Sequence, residues 1–428
     1  MHAMTADFLI RHIRTLLTPV GRAPRRGAEQ RRVQSIKDAA LASRDGRIVF
    51  VGGDGDCERA VSAIPGAVVI DASRHTVVPG FVDPHTHVVF AGDRREELRR
   101  RLAGAGYAEI AAEGGGILET VRATREAGED DLADRARARL DEMLRAGTTT
   151  AEAKSGYGLA TDAELKMLRV IRRLSREQPI DLVPTFLGAH EIPIEYRDRR
   201  RDYVDLLLNE MIPAVASAHL ASWCDVFCEA GVYTPQESRE ILEAGAKAGL
   251  RPRIHADELA RSGGSRVAVE VGARSADHLL FVERDEAEQM ARSGVVATLL
   301  PIAAFYLKMG RFAPARMLID TGVPVALGTD LNPGGGFSPS MSFAMTLGCF
   351  SMGMTFEECL TAATLNAAYS IDCHEERGSL EAGKLMDAVL VRGEAIDLLR
   401  VGAPVIDAVI KRGRIAYSRP SAVLGSGL

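Results

Sequence analysis

The middle of the chain alternates short apolar stretches with polar stretches of helical period. Eight apolar stretches between Phe81 and Asp330 each have the length of a β-strand. In order they are FVDPHTHVVF, TTTAEAKS, DLVPTFLGAH, WCDVFCEAG, RPRIHADE, SADHLLFV, VVATLLP and VPVALGTD. Amphipathic helices are predicted between most of them, as in DDLADRARARLDEMLRAG and TDAELKMLRVIRRLSRE. In the second of these helices, Thr161 and Glu164 have the spacing of a capping box.

Eight strands that alternate with helices over about 250 residues predict a (β/α)₈ barrel. A doubly wound open sheet would show the same alternation. However, no Gly-rich dinucleotide loop follows any of the eight strands. The barrel is therefore the preferred architecture, and we expect it to span residues 79–378.

Both ends of the chain have a strand pattern without helical periods. The N-terminal stretches DFLIRHIRTLLT and DAALASRDGRIVFVG predict strands, with a hairpin turn at Asp45-Gly46. The C-terminal stretches LMDAVLVRG and PVIDAVIKRGRIAY predict further strands. We expect residues 1–78 and 379–428 to form one small, discontinuous β-sandwich domain beside the barrel.

Composition and charge narrow the class of protein. Hydrophobic residues make up 46% and charged residues 26% of the chain, which is ordinary for a soluble globular protein. The net charge of −5 argues against a nucleic-acid or anionic-membrane partner. The N-terminal stretch is interrupted by Asp7 and Arg11, and the longest apolar run, 295–307, contains Pro301 and is too short to cross a bilayer. A cytoplasmic protein with reduced cysteines is expected.

Polar residues with metal-binding chemistry occur where the predicted strands end, which is where barrel enzymes carry their active sites. They are His85 and His87 on the first strand, His190 on the third, His255 and Glu258 on the fifth, His278 on the sixth and Asp330 on the eighth. Residues two apart on a strand point to the same face, so His85 and His87 should share a space. Imidazole and carboxylate groups are ligands for Zn²⁺ or a similar metal, which could activate water for hydrolysis.

Four further residues each have a functional and a structural interpretation. Arg94 could bind a carboxylate with its fork or be a solvated loop residue. Tyr157 lies between glycines in SGYGL and could face a ligand or pack in the loop. Glu258 could carry a proton or lie at the surface. Lys154, at the end of the second strand, is expected to be a structural ion-pair partner.

The pattern PGFVDPHTH, followed by later strand histidines and a final strand aspartate, resembles the metal-dependent amidohydrolase superfamily. Longer stretches are similar to one family within it, the imidazolonepropionases, from about Val78 to Ala388. These stretches are PHTHVVFAGDR, AGAGYAEIAAEGGGIL, TTTAEAKSGYGL, TFLGAHEIP, HADEL, SADHL and GTDLNPG. The resemblance implies hydrolysis of 4-imidazolone-5-propanoate to N-formimidoyl-L-glutamate in histidine degradation.

The resemblance also assigns roles to residues of this chain. The implied metal ligands are His85, His87, His255 and Asp330. The implied substrate-binding residues are Arg94, Tyr107, Tyr157, His190, Glu258, Asn332, Gly334 and Gly335. Proton transfer or carbonyl stabilisation falls to Glu258, His278 or Asp330, and the choice among them stays open. Binuclear members commonly carry a lysine on the fourth strand; WCDVFCEAG has none, so one metal ion, zinc or iron, is expected.

Two departures and two rival functions accompany this interpretation. The family often has Ser or Thr where this chain has Gly335, so only a backbone contact is available there, and LLPIAAFYL replaces a Thr-containing seventh strand. A guanine-deaminase-like aminohydrolase would use the same histidines but would leave Arg94 unexplained. A non-catalytic scaffold is the other alternative.

We expect the substrate to be a small molecule with a carboxylate tail. We expect the protein itself to be a homodimer.

Overall fold

The computed structural model describes residues 4–105, 115–420 and 425–426, and its first strands form from the N-terminal apolar stretches. These strands are β1 Met4–Thr18, β2 Gln34–Arg44, β3 Arg47–Gly53, β4 Val61–Asp71 and β5 His75–Pro79. Between β2 and β3, Asp45 and Gly46 have φ angles of 51° and 78°. This left-handed backbone is typical of a two-residue hairpin turn, so the predicted turn is confirmed.

The central part of the chain forms the predicted parallel sheet. Its strands are β6 Phe81–Asp83, β7 Thr148–Lys154, β8 Asp181–Ala189, β9 Trp223–Cys228, β10 Arg251–Pro252, β11 Ile254–Ala256, β12 Ser275–His278, β13 Val296–Leu299 and β14 Val325–Leu327. Neighbours in the sheet follow one another along the chain, and each predicted stretch supplies one position, with β10 and β11 sharing the fifth. The predicted strands are confirmed.

The first and last strands meet and nearly close the barrel. The N–H of Asp330 donates to the carbonyl oxygen of His85 at 3.0 Å, and the N–H of His87 donates to Leu331 at 2.8 Å. Because β6 ends at Asp83, His85 and His87 follow the strand; the expectation that they lie within it is wrong. Closure nevertheless brings both histidines beside Asp330, and the predicted barrel is confirmed.

Most of the helices lie between the barrel strands. The helices are α1 Asp54–Ala60, α2 Arg95–Leu102, α3 Ile117–Glu126, α4 Glu129–Arg145, α5 Thr161–Glu177, α6 Arg200–Leu206, α7 Ile212–Ser217, α8 Pro235–Lys247, α9 Gly264–Glu270, α10 Arg284–Ser293, α11 Pro301–Tyr306, α12 Ala315–Thr321, α13 Met341–Ser351, α14 Phe356–Ala362 and α15 Leu365–Ser370. Of these, α1 belongs to the sheet of the chain ends, and α13 to α15 follow the last barrel strand. The turn Leu207–Met211 is a π-helix, and Gly27–Arg31, Ile194–Tyr196 and Ala395–Leu399 are 3₁₀ helices. In α4, Leu132, Ala136 and Leu140 are fully buried, as their helical spacing predicts.

The capping box predicted at the start of α5 is wrong. The N-cap residue is Ala160, with no side-chain cap, and Thr161 bonds to Glu210. The carboxylate of Glu164 is turned into the preceding loop, where it accepts the N–H groups of Gly156, Gly158 and Leu159 at 2.7–2.9 Å. Three backbone donors compete successfully for this buried carboxylate, and the loop is fixed as a result.

A second sheet combines both ends of the chain. The C-terminal strands are β15 Ala388–Arg392, β16 Ile406–Lys411, β17 Arg414–Ser418 and β18 Gly425–Ser426. β15 pairs antiparallel with β5, so that Val389 lies opposite Val78. Ile10, Leu41 and Leu390 belong to an apolar cluster of this sheet that is separate from the barrel core. Within the described residues, no helix is both long enough and apolar enough to cross a membrane.

Candidate metal centre and active site

The metal ligands implied by the resemblance meet at the carboxyl ends of the barrel strands. One nitrogen each from His85, His87 and His255 lie within 4.8 Å of one another. Oδ1 of Asp330 lies 3.5 Å from Nε2 of His85 and 3.4 Å from Nε2 of His87. All four side chains are buried. Residues from the first, fifth and eighth strands therefore converge on one point.

These residues fit a metal ion. Two ligands about 2.0–2.1 Å from a tetrahedral zinc ion are about 3.3–3.4 Å apart, close to the observed distances from Asp330 to the two histidines. The Nε2 atoms of His85 and His255 are buried and have no hydrogen-bond partner among the described residues. A buried imidazole nitrogen without a partner is unfavourable unless a ligand completes it. The set has the donor chemistry and spacing that a zinc or iron ion requires.

Two aspartates orient two of the ligand histidines from behind. Oδ2 of Asp277 lies 2.7 Å from Nδ1 of His85, and Oδ1 of Asp225 lies 3.1 Å from Nδ1 of His255. A carboxylate accepts a hydrogen bond from a nitrogen that bears a proton. Both histidines therefore carry the proton on Nδ1 and present the Nε2 lone pair to the site. The carboxylates thus select the tautomer that binds a metal.

Buried charges compensate these two aspartates. Nζ of Lys154 lies 2.7 Å from both Glu152 and Asp225, and Nη2 of Arg253 donates to Asp277 at 3.1 Å. Burial disfavours the ammonium form of Lys154, but Asp225 and Glu152 outweigh burial and raise the pKa of the lysine. The expected structural ion pair of Lys154 is confirmed, and it lies directly behind the ligand set.

Burial lowers the pKa of four of the site histidines. It lowers the pKa of His85, His87 and His190 well below the usual value, with further lowering from neighbouring positive groups. Burial also lowers the pKa of His278 to about 3, although Asp330 acts in the opposite direction. Neutral imidazole is the form that binds a metal, so the interior of the barrel prepares these side chains for that role.

Glu258 and His278 form a pair at the rim of the ligand set. Oε1 of Glu258 lies 3.5 Å from Nδ1 of His278. Burial, followed by the nearby carboxylates of Asp330 and Glu229, raises the pKa of Glu258 well above its usual range; a cation at the ligand set would act in the opposite direction. A carboxyl group whose pKa is shifted in this way beside a ligand set is a candidate for proton transfer.

The backbone at these strand ends is strained. His278, Asp330 and Asp257 have φ angles of 77°, 50° and 52°, in the left-handed region that non-glycine residues rarely adopt. Such strain typically occurs at functional sites, where the surrounding structure maintains it. Here it directs the side chains of β12 and of the loop after β14 into the cavity.

An aromatic wall lies on the opposite side of the ligand set. The ring of His190 stacks on that of His87 with a centroid distance of 5.0 Å, and the ring of Tyr157 lies 5.2 Å from His190. Nδ1 of His190 lies 3.0 Å from the carbonyl oxygen of Gly156. A carbonyl oxygen only accepts hydrogen bonds, so Nδ1 of His190 carries the proton. Its Nε2 is then an acceptor that does not face Gly156.

Arg94 is buried and already engaged by a glutamate of its own helix. Its Nε and Nη2 donate to Glu97 at 2.7 and 2.5 Å. Its Nη1 is the guanidinium nitrogen closest to Gly334, and a Cβ at that position would overlap the guanidinium. The arginine lines the cavity, but the fork edge formed by Nε and Nη2 is occupied by Glu97.

Asn332 shapes the loop after β14. Its Oδ1 accepts the N–H groups of Gly334 and Gly335, both at 2.7 Å, and its Nδ2 donates to the carbonyl oxygen of Asp330 at 2.8 Å. The Gly335 N–H, which the sequence offered as a backbone contact to the substrate, is therefore bonded within the loop. Hydrogen bonds between the Asn332 side chain and the backbone of neighbouring residues in this loop hold Asp330 in place.

One cavity of about 510 Å³ connects these features. Its lining includes most of the residues that the sequence predicted, namely His87, Arg94, Tyr157, His190, His255, Glu258, His278, Asp330, Asn332, Gly334 and Gly335. His85 lies beneath it, fully buried. Tyr107, a predicted substrate contact, lies outside the described residues.

Several residues that support the site were not predicted from the sequence. They are the histidine partners Asp225 and Asp277, the arginine partner Glu97 and the loop anchor Glu164. Asp225 in WCDVFC and Asp277 in SADHLL are charged residues inside otherwise apolar strands. A buried charge in such a strand must have a partner, and this signal could have identified both.

The parallel barrel and the imidazole–carboxylate set at its carboxyl ends define the amidohydrolase class. A model of the amidohydrolase family matches residues 96–417. Among solved structures, an atrazine chlorohydrolase from Arthrobacter aurescens complexed with zinc has a similar fold, with a TM-score of 0.70 and 18% identity. That similarity covers 98% of this chain and 97% of the other.

Curated relatives identify the family within this class. The imidazolonepropionase of Alkaliphilus metalliredigens is 46% identical over 419 residues, 97% of this chain and 99% of the relative. That of Symbiobacterium thermophilum is 49% identical over 412 residues, 96% of this chain and 97% of the relative. The chain belongs to the imidazolonepropionase family.

Proposed function

We propose that this protein hydrolyses the ring amide of 4-imidazolone-5-propanoate to N-formimidoyl-L-glutamate, as an enzyme of histidine degradation. Family membership supports this substrate. The observation in the structure that carries the proposal is that one cavity is lined by three of the four proposed ligands, by Glu258 and by the cation of Arg94. A substrate with a cyclic amide at one end and a carboxylate at the other matches that arrangement.

Purified protein tests this function directly. We expect loss of the imidazolone absorbance in the presence of enzyme with about one zinc or iron ion per chain. Guanine is the control substrate, because a guanine-deaminase-like enzyme would release ammonia from it. Ammonia release from guanine, with no loss of imidazolone absorbance, would contradict the proposal.

The metal is proposed to be a single zinc or iron ion held by His85, His87, His255 and Asp330. A bound ion would supply Lewis-acid activation of water for attack on the ring carbonyl. The two Nε2 atoms without partners and the 3.4–3.5 Å spacing to Asp330 support this assignment.

Glu258 is proposed as the group that moves the proton. Its Oε1 lies 3.5 Å from Nδ1 of His278. Asp330 is the competing proton acceptor, but its contacts with His85 and His87 favour a role as a metal ligand. Glu258 would take a proton from the attacking water and return it to the ring nitrogen as the C–N bond breaks. His278, beside it, would hold the ring carbonyl oxygen as negative charge develops there.

His190 is proposed to bind a ring N–H of the substrate. Because its Nδ1 proton is directed to Gly156, its Nε2 offers a lone pair and accepts. A neutral acceptor suits an N–H donor rather than an oxyanion, so this histidine orients the ring instead of stabilising the developing charge. The ring of Tyr157 would cover one face of the imidazolone.

Arg94 is proposed to bind the substrate carboxylate, because it is a buried cation that lines the cavity, and Glu97 pairs with its Nε and Nη2. Glu97 also fixes the guanidinium plane, which lowers the entropy lost on binding. Gly334 permits the guanidinium to approach the loop because a side chain there would overlap it.

The Arg94→Lys variant is expected to raise KM about 10- to 100-fold while kcat changes by less than about threefold. A lysine can still pair with Glu97 but lacks the planar, multi-donor guanidinium, and a hydrogen bond to a charged group contributes about 1.5–3 kcal/mol. Steady-state kinetics on metal-loaded protein measures this. The control is Arg95→Lys, because Arg95 is exposed and pairs only with Asp93 at 3.8 Å among the described residues. An unchanged KM in Arg94→Lys would remove Arg94 from the substrate site.

A homodimer in the cytoplasm is the proposed state of the enzyme. Phe350 on α13 is 78% exposed, and Ile396 and Val401, within and just after the 3₁₀ helix Ala395–Leu399, are 55% and 61% exposed. α13 contacts this neighbouring segment, since Thr346 donates to the carbonyl oxygen of Leu399 at 3.4 Å. Exposed apolar residues on adjacent elements favour association. Sedimentation of wild-type and Phe350→Glu protein is expected to give a dimer and a monomer; two monomers would contradict the proposal.

A further inference from the structure

We propose that Lys154 is a positioning residue of the metal centre, which holds Asp225 and thereby the ring of His255 in the orientation that binds a metal ion. Lys154 is the last residue of β7 and its side chain is fully buried. It lies behind the ligand set and does not contact the cavity. Its role would therefore be exerted through Asp225.

The two oxygens of Asp225 have separate partners. Oδ2 accepts from Nζ of Lys154 at 2.7 Å. Oδ1 accepts the N–H of Val226 at 2.8 Å and faces Nδ1 of His255 at 3.1 Å. An ammonium group only donates, so it fixes which oxygen faces the histidine and keeps that oxygen an acceptor.

Lys154 also links Asp225 to the other ligand-bearing segment. Its backbone N–H donates to the carbonyl oxygen of Thr86 at 3.0 Å. Its Nζ bonds to Oε1 of Glu152, whose Oε2 accepts the N–H of Thr86 at 3.2 Å. Thr86 lies between the proposed ligands His85 and His87. Lys154 therefore connects the backbone between these two histidines to Asp225, the partner of His255.

The ammonium group is needed because three carboxylates converge there. Glu152 and Asp225 each lie 2.7 Å from Nζ of Lys154, and Asp277 lies 4.0 Å away. Arg253 compensates Asp277, but Glu152 and Asp225 contact Lys154 directly. Like charges in a buried space repel strongly when their counter-charge is removed. Without the lysine, Asp225 would turn from its present position and release His255.

Zinc affinity tests this role without reference to the substrate. The role of Lys154 rests on the proposed function only through the metal site. If the protein did not hydrolyse the imidazolone, the zinc affinities of the variants could still be compared. Zinc-loaded protein is titrated with a chromophoric chelator. In Lys154→Met, the dissociation constant for zinc is expected to rise about 10- to 100-fold, the usual effect of removing support behind a ligand.

Lys411→Met is a matched control. Lys411 is also a buried lysine between two carboxylates, with Nζ 2.6 Å from Asp181 and 2.7 Å from Asp387. It belongs to β16, in the sheet formed by the chain ends. We expect this variant to lose thermal stability but to bind zinc within about threefold of wild type. Equal zinc affinity in wild type and folded Lys154→Met would overturn the proposal.

Asp225→Asn provides a second test if Lys154→Met does not fold. The ammonium of Lys154 requires an acceptor, so the amide oxygen is expected to take that position and the NH₂ group to replace Oδ1. The NH₂ group then loses the bond from the Val226 N–H, donates to Nδ1 of His255 and selects the Nε2–H tautomer. In ¹⁵N-histidine NMR spectra of the metal-free full chain, the Nδ1–H signal of His255 is expected to disappear, with weaker zinc binding. A purely structural Asp225 would leave that signal in place, and its persistence with wild-type zinc affinity would overturn the proposal.

Discussion

The His255→Ala variant is expected to lose the metal and the hydrolase activity together. His255 supplies the ligand from the fifth strand, and its Nε2 has no hydrogen-bond partner among the described residues. Its loss also leaves Oδ1 of Asp225 without its histidine partner. We expect the metal content after dialysis to fall below about a tenth of an ion per chain and kcat/KM to fall on the order of 10⁴-fold.

Metal analysis paired with the imidazolone absorbance assay measures both quantities on the same sample. His374→Ala is the matched control, because His374 is 9% exposed and packs against Tyr369 away from the barrel mouth. That variant should keep its metal and its activity. Full activity in metal-free His255→Ala protein would refute metal-dependent hydrolysis.

The Glu258→Gln variant is expected to keep its metal but to lose about 10²- to 10⁴-fold in kcat, the usual contribution of a positioned acid–base group. Glutamine preserves the shape of the side chain and cannot take a proton from water. Since the ligand set is untouched, KM for the substrate should change by less than about threefold. A loss in kcat without a loss of metal separates proton transfer from metal binding.

Glu191→Gln is the control for this experiment. Glu191 is a half-buried carboxylate that follows His190 directly, and burial raises its pKa as well. It does not line the cavity that holds the ligand set. Wild-type kcat is expected for this variant. If Glu258→Gln retained wild-type kcat, the proton would have to pass through Asp330 or His278 instead.

Much of the candidate site could be predicted because the barrel fold converts sequence position into spatial position. Each predicted strand contributes its C-terminal end to one face, so His190, His255 and Asp330 had to approach one another once eight strands were assigned. The first strand shows the limit of this rule. It ends at Asp83, yet His85 and His87 still reach the site because the segment after it pairs with the chain after β14.

The interactions of Arg94 show what could not be predicted. A forked cation in the loop after the first strand indicated a carboxylate partner, but the sequence did not indicate that Glu97, three residues away, takes one edge of the fork. Glu164 is a similar case. Its spacing from Thr161 matched a capping box, whereas the buried loop before α5 offered three stronger donors.

The sequence by itself determined the barrel and the sheet formed by both chain ends, because hydrophobic periodicity depends on local spacing. Its motifs identified the family, and the proposed ligand set follows from that resemblance. Only the tertiary structure decided that Asp277 meets His85 across 192 positions and that Asp225 meets His255 across 30. Those pairs depend on strand register and on which carboxylate oxygen each buried cation, Lys154 or Arg253, binds. Neither follows from the spacing along one strand.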